Sequence, residues 1–478
     1  MSAVARLVPL VALGGLVAGA AYFDQELSPP PAVSYGTVSV PPMPVVPAGA
    51  PLSSSWFCPG VPAPADQATG NGFVSVLNAG DTPIEGSLTA YSTDGQTAVA
   101  PLVIGERSRI DVRLGDLMVA PWAAAVVELL GAEGVVEQSV VGPTGRSTSA
   151  CANSAGSTWY LADGATTVDA TLGILLFNPF PDDAIVDVSF STSEGTRNPQ
   201  ATQGYVVPGT SVRLLELNEI VRREPTISTT VEARSGRVVA GRVQIYPEGA
   251  KRALSVGVAS PAPAEQWWFA SGEKGDPAAE RVTIFNPGDS DAEVDVAFYP
   301  ADPSAAPPTD PVQLTVPAGA SATVDVATTD SVPAGQHSIL VLSEKSRPVV
   351  AERVLEVQGD AARNVTIQPG SPLTATTWTF VTGAPDGAEA LVVANATGEA
   401  TTASVLALGP AGFTVVPGLE DMAIPAAGLV RIDLDERGLA GVPLVVEGAL
   451  DVVAERVVGA PVGQPGISIS RGIPYLGA

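Results

Sequence analysis

Apolar residues along this chain recur at every second position in short runs. Val186-Asp187-Val188-Ser189-Phe190-Ser191 and Val294-Asp295-Val296-Ala297-Phe298 have this period, as do Val324-Asp325-Val326 and Val430-Arg431-Ile432-Asp433-Leu434. A period of two is that of a strand with one buried face. Asp94-Gly95 and Glu194-Gly195 punctuate the runs as turns. Helical periodicity is almost missing; residues 114–119 and 214–223 read as short turns between strands. The pattern predicts an all-β protein.

The runs repeat on a longer period. Trp56, Trp159, Trp267 and Trp378 each open a segment, at spacings of 103, 108 and 111 residues. Asn78, Asn178, Asn286 and Asn395 each close an apolar run about twenty residues further on. A turn follows in three copies: Val207-Pro208-Gly209, Val316-Pro317-Ala318-Gly319 and Ile424-Pro425-Ala426-Ala427-Gly428. The first copy departs from this, with Ile104-Gly105. Val135-Val136, Val238-Val239, Val349-Val350 and Val452-Val453 come last. Four anchors in one order, four times over, mark an internal duplication.

Six to eight short strands in about a hundred residues suit an immunoglobulin-like two-layer sandwich. The expected architecture is four tandem sandwiches, at residues 53–152, 153–260, 261–371 and 372–478. The alternative is a β-propeller with two blades per repeat, because one blade needs only about 40–50 residues. The recurrent Trp56, Trp159, Trp267 and Trp378 then read as core residues between sheets. Exposed aromatics stacking on sugar rings are the other reading. Trp268 follows Trp267 and points to the opposite face, so it is expected to be exposed or to cover a junction. Trp122 has no counterpart in the other copies. These two are the candidate contact surface.

Composition places the chain outside the cytoplasm. Arg6 precedes residues 7–23, which carry no charge. That length is at the short end for a transmembrane helix, about 17–25 residues, with the cytoplasmic side marked by Arg6. Residues 1–24 are read as a signal anchor, or as a signal peptide cleaved near Ala20. Residues 25–52 hold Pro29-Pro30-Pro31, Pro41-Pro42, Pro44 and Pro47, the composition of a semi-rigid spacer or tether. The net charge of −26 opposes binding to nucleic acid and to anionic lipid. The two cysteines, Cys58 and Cys151, are expected to form a disulfide in an exported chain. Two free buried thiols are the alternative.

The chemistry a catalyst needs is sparse. His337 is the only histidine, and it is expected on a surface turn. A Ser-His-Asp or Cys-His arrangement would have to use it. No G-x-S-x-G, P-loop or H-E-x-x-H motif is present. Asp182-Asp183 and Asp289-Ser290-Asp291 follow the Asn turns but lack the oxygen-ligand spacing of a calcium loop. Two Cys and one His make no ordinary zinc site. No cofactor or metal is expected. Glu352-Arg353 and Glu455-Arg456 stand at the same place in two copies, with Arg242 matching in another. They read as an ion pair bridging strands or modules, or as a shared ligand groove.

The segments Trp159-Tyr160-Leu161-Ala162-Asp163-Gly164, Leu175-Leu176-Phe177-Asn178-Pro179, the Val-Pro-Gly turn and residues 349–354 resemble one known family. It is an uncharacterised actinobacterial family of exported or membrane-anchored proteins, a domain of unknown function with W-Y-F-A-E-G, L-x-N-P, V-P-A-G and V-V-A-E-R repeats. The resemblance covers most of residues 56–458 and is weakest in the first copy. It implies export and supplies no activity. The expected function is a non-catalytic scaffold of the bacterial cell envelope, tethered to the cytoplasmic membrane, with an envelope protein or wall glycan as partner. A wall carbohydrate-binding protein is the alternative, and a carboxylate-based glycan hydrolase the second.

Overall fold

The structure is a computed structural model that describes residues 41–46, 52–66, 70–131, 134–276, 278–304, 309–344, 346–359, 362–459 and 465–476. The expected anchor at 1–24, and Ala20 within it, lie outside the described residues. No helix among those described is long and apolar enough to cross a membrane. The chain is 61% strand and 2% helix, with no closed barrel. Of the two expected turns, Leu114–Leu117 is a single helical turn. Of residues 214–223, 214–216 end the strand Ser211–Glu216 and 217–221 form the turn, with Ile220 N and Val221 N donating to Leu217 O.

In the first module the strands are β1 (Ser54–Ala63), β2 (Asn71–Asn78), β3 (Ile84–Ser92), β4 (Thr97–Ile104), β5 (Ser108–Arg113), β6 (Ala120–Leu129), β7 (Gly134–Gly142) and β8 (Gly145–Ala150). They form two sheets, in the orders β1-β6-β3-β4 and β5-β2-β7-β8. The same two orders recur in each later stretch of the chain. In the last one, the 16-residue strand Leu444–Gly459 serves as both the β6 and the β7 counterpart. The core between the sheets draws on both: Trp267 and Phe269 pack with Val282, Ile284, Val294, Phe298, Ile339 and Val350.

This order keeps the two central pairs of an immunoglobulin domain, strands 2·5 and 3·6. It differs at the edges, where β1 lies on β6 and β7 lies on β2. Nor is either sheet the consecutive meander of a blade. Alternation of apolar residues dictates which face is buried and leaves the neighbours open, so the sequence could not set these edges.

The repeated anchors each hold one joint. Trp159, Trp267 and Trp378 are at most 1% exposed. Their indole Nε1 atoms donate to Val238 O (2.8 Å), Val349 O (2.7 Å) and Val452 O (2.9 Å). Each tryptophan thus ties its opening strand to the start of the Val pair, which satisfies a buried donor. Trp56 is equally buried, but its Nε1 finds no such partner among the described residues. Each Asn accepts from the amide two residues on and donates to the carbonyl four residues on. It also reaches the later turn: Asn178 donates to Val207 O, Asn286 to Val316 O and Asn395 to Pro425 O. In the first module Asn78 uses Gly105 O (2.9 Å), so the joint survives without the Pro-Gly turn. The disulfide Cys58–Cys151 is present and closes a 93-residue separation.

The four modules close into a ring around their β8-type strands. Ser147 Oγ of β8 donates to Val256 O and accepts from Val256 N in the strand Lys251–Val258. That strand pairs in parallel with Arg363–Pro369. Asn364 accepts from Gly466 N, next to the strand Ile467–Arg471. Ser468 Oγ then accepts from Thr148 N, which returns to β8. A cavity of about 40 Å³ lies between the four strands, and Met43 and Pro44 line it. Residues 41–46 of the expected spacer are therefore packed against the ring: Met43 and Val45 are buried, and Val46 N donates to Pro474 O. Apolar Met43 and Val45 interrupt the proline-rich composition and find a core to enter.

Candidate functional site

The strongest concentration of buried charge lies where consecutive modules meet. In three modules the Val pair is followed, directly in the first and after an Ala in the third and fourth, by two positions that carry the junction residues. These are Glu137-Gln138 in the first module, Glu352-Arg353 in the third and Glu455-Arg456 in the fourth. The second module has Gly241-Arg242. Glu352 and Glu455 point back to the preceding module, and Glu137 points to the fourth.

At the junction of the second and third modules, Glu352 Oε2 accepts from Arg242 Nη1 (2.6 Å) and from the amide of Asp163 (2.7 Å). At the next junction, Glu455 Oε2 accepts from Arg353 Nη2 (3.0 Å), Ser271 N (2.9 Å) and Ser271 Oγ (2.5 Å), while its Oε1 accepts from Gln368 (2.7 Å). At the closing junction, Glu137 accepts from Val381 N (3.2 Å), Thr382 N (2.9 Å) and Thr382 Oγ1 (2.6 Å), and its charge is felt by Arg456. Each of these carboxylates is fully buried. Burial pushes Glu137 and Glu352 above the usual carboxylate range, and the hydrogen bonds and arginines pull back against it.

The fourth junction, between the first and second modules, carries neither charge. Gln138 stands in the arginine position and Gly241 in the glutamate position. A Cβ on Gly241 would lie 2.7 Å from Pro59 Cγ. Proline has no amide hydrogen to donate, and the next amide, Gly60 N, is already given to Gln138, so a glutamate there would have to compete for a backbone donor. Gln138 Oε1 instead accepts from Gly60 N at 3.3 Å.

Sequence had placed Glu352-Arg353, Glu455-Arg456 and Arg242 together, either as a bridge or as a groove. The structure makes Arg242–Glu352 and Arg353–Glu455 bridges between modules, whereas Arg456 pairs with Glu389 inside the fourth module; all three arginine side chains are 0–1% exposed. Missed from sequence were Glu137, Asp163, Ser271 and Thr382. The last three occupy the residue before the Gly that ends each Trp segment, which was the signal available. Asp163 also receives Arg281 (3.0 Å) and Thr283 (2.6 Å).

His337 corrects an expectation: it is buried in the strand Gly335–Ser343 rather than on a surface turn. Its Nε2 lies 3.0 Å from Glu280, and Arg353 Nη1 lies 3.5 Å from the same carboxyl group. Adding Gly272 to the β1-type pairing draws the histidine under the neighbouring strand. Trp268 takes the second of its two expected placements, covering a junction. It is 6% exposed, stacks on Tyr299 (6.0 Å between centroids) and packs with Met43 and Ala375, so it gives no outward contact surface. Trp122 is half-buried against the first module's core. Asp183 and Asp291 accept backbone amides from the later proline turns, Gly209 N and Ala318 N. No group of three or more metal-ligand side chains occurs among the described residues.

These features define an all-β protein whose repeated residues hold modules together. The chain belongs to a family of unknown function, DUF5719, whose model matches residues 132–424. No curated protein matches it. Among solved structures it is similar to the Anabaena sensory rhodopsin transducer, at 28% identity over 19% of this chain and 94% of that one, with a TM-score of 0.17. A Thermotoga maritima protein, 1070, matches at 20% identity over 23% of this chain and 94% of that one, with a TM-score of 0.19. A tetra-tandem repeat from the extending region of a large adhesion protein matches at 13% identity over 87% and 98%, with a TM-score of 0.08. At these scores the likenesses carry no argument about function.

Proposed function

We propose that this protein is a non-catalytic scaffold of the bacterial cell envelope, of actinobacterial type, built from four tandem immunoglobulin-like sandwiches and tethered by its N-terminal segment. One observation carries this reading. The residues that recur in the modules are spent on folding and on joining modules: the tryptophans, the asparagines and the junction ion pairs are all buried. The net charge is −26. A rigid acidic body suits recognition of other proteins by shape and charge. The carbohydrate-binding alternative rested on exposed aromatics, and Trp268 is not one.

The test is crosslinking in the native host followed by affinity capture and mass spectrometry, with the tag at the C-terminus. The scaffold reading expects one envelope protein, recovered in proportion to the bait and lost when an outward loop is replaced. Recovery of wall glycan alone would contradict it. Protease added to intact spheroplasts is expected to digest the modules, and protection would contradict the exported placement.

A further inference from the structure

The ring supplies its own comparison between junctions. At the second–third junction, the floor formed by Val354, Val365 and Ile367 is covered by Tyr246, with Ala165, Ala170 and Ala253 packed around it. Tyr246 is 5% exposed. Strand register makes these positions equivalent to ones at the third–fourth junction. Ala240 opposes Leu176 in one module and Ala351 opposes Ile284 in the next, so Tyr246 corresponds to Val357. Glu352 opposes Pro369 and Glu455 opposes Arg471, so Val354, Val365 and Ile367 correspond to Val457, Ile467 and Ile469.

Replacing the tyrosine ring by an isopropyl group leaves the second floor uncovered. A cavity of about 160 Å³ lies there, walled by Leu355, Val357, Val392, Val457, Ile467 and Ile469. An apolar cavity of about 150 Å³ is enough to hold a benzene ring. The polar rim changes too. At the second–third junction the charged groups beside the ring are Arg281, which influences Tyr246, and Lys251, whose Nζ lies 5.7 Å from the ring centroid. Their counterparts at the third–fourth junction are Ala390 and Ala362, by the same register. The rim of this cavity carries a different cation, Arg431, directly opposite Val392 and 37% exposed, with its Nε on Asp433 at 3.2 Å, together with Ser271, Gln336 and the carboxylate of Glu273.

We propose that the cleft between the third and fourth modules binds a small monocyclic aromatic carboxylate. The ring takes the place that Tyr246 fills one junction earlier, and the carboxylate meets Arg431. The site is independent of the scaffold reading, since it needs no protein partner. The apolar walls supply affinity through area removed from water, and the guanidinium selects an anionic head by charge-assisted hydrogen bonding.

The test is calorimetric titration of the whole protein with 4-methylbenzoate and with p-cresol, which has the ring of tyrosine without the carboxylate. The wild type is expected to bind 4-methylbenzoate at one site per chain, more tightly than p-cresol. Val357→Tyr, which supplies the covering ring from within the chain, is expected to weaken both at least tenfold. Arg431→Ala is expected to weaken 4-methylbenzoate at least tenfold and p-cresol less than threefold. Absence of saturable binding by the wild type, or equal binding by Val357→Tyr, would overturn the proposal. If Val357→Tyr does not fold, a crystal of the wild type soaked in 4-methylbenzoate decides: the ring between Val357 and Ile469 supports the site, and a ring elsewhere or none overturns it.

Discussion

The second–third junction and the first–second junction solve the same packing problem in opposite ways. One buries Arg242 against Glu352 and gives that carboxylate a backbone amide as well. The other has Gln138 and Gly241 in the corresponding positions, and Pro59 in contact with the glycine. Both charges are missing together, and the backbone amide there, Gly60 N, serves Gln138 instead. That is what desolvation demands. A buried charge is tolerable only when paired and hydrogen-bonded, and a pair can be exchanged for neutral groups at little cost while half a pair cannot. The difference teaches that the junction is a unit of three parts: acid, arginine and amide.

The largest expected effect comes from leaving half a unit. Glu352→Ala strands Arg242 in the core and is expected to destabilise the protein by about 3–5 kcal/mol, read from chemical denaturation. Its double variant with Arg242→Leu is expected to recover most of that loss, and failure to recover would break the pairing argument. Next, Cys58→Ser with Cys151→Ser removes the link that closes the first module, the one module whose Trp56 lacks the usual carbonyl partner. The expected cost is about 4 kcal/mol for a loop of this length, measured as a shift in denaturation midpoint. Gly241→Glu then tests the uncharged junction. Its new carboxylate faces Pro59 and is expected to cost about 1–3 kcal/mol or more for a buried acceptor without a donor. Adding Gln138→Arg is expected to restore part of that loss, because it pairs the carboxylate and releases Gly60 N.

The smallest effect is one of pH. Burial raises Glu352 above its ordinary value, so the native state takes up that proton at higher pH than the unfolded chain. Stability from this group is therefore present at low pH and falls as the pH rises from the ordinary carboxylate value through the raised one. Wild type measured against Glu352→Gln should gain relative stability as the pH falls through that window. A difference independent of pH would mean that the group is not raised.

Much of this was legible in the sequence. Alternation at 186–191 and 294–298 gave the strands Ala184–Thr192 and Ala292–Pro300. Trp159, Trp267 and Trp378 stood in register because each donates to the Val-pair segment, and the lone cysteine pair matched the bond found. The edges of each sheet were not legible, since a strand's pattern shows its buried face and not its neighbour. The ring was hidden for a related reason. Glu137 and Thr382 are 245 residues apart, and nothing local distinguishes an acid that closes a ring from one on a surface. His337 was misplaced because Gly335 marked a turn, while its burial depends on Glu280 in another strand. For Trp268 the sequence left exposure and junction cover open, because a single module cannot show whether the next one covers it.

The central claim is closure of the four modules through Glu137 and Thr382, and small-angle X-ray scattering of residues 41–478 tests it most directly. A closed ring of this length is expected to have a radius of gyration near that of one compact domain, about 22 Å. A value about twice that would describe a string of modules and would contradict the closed ring.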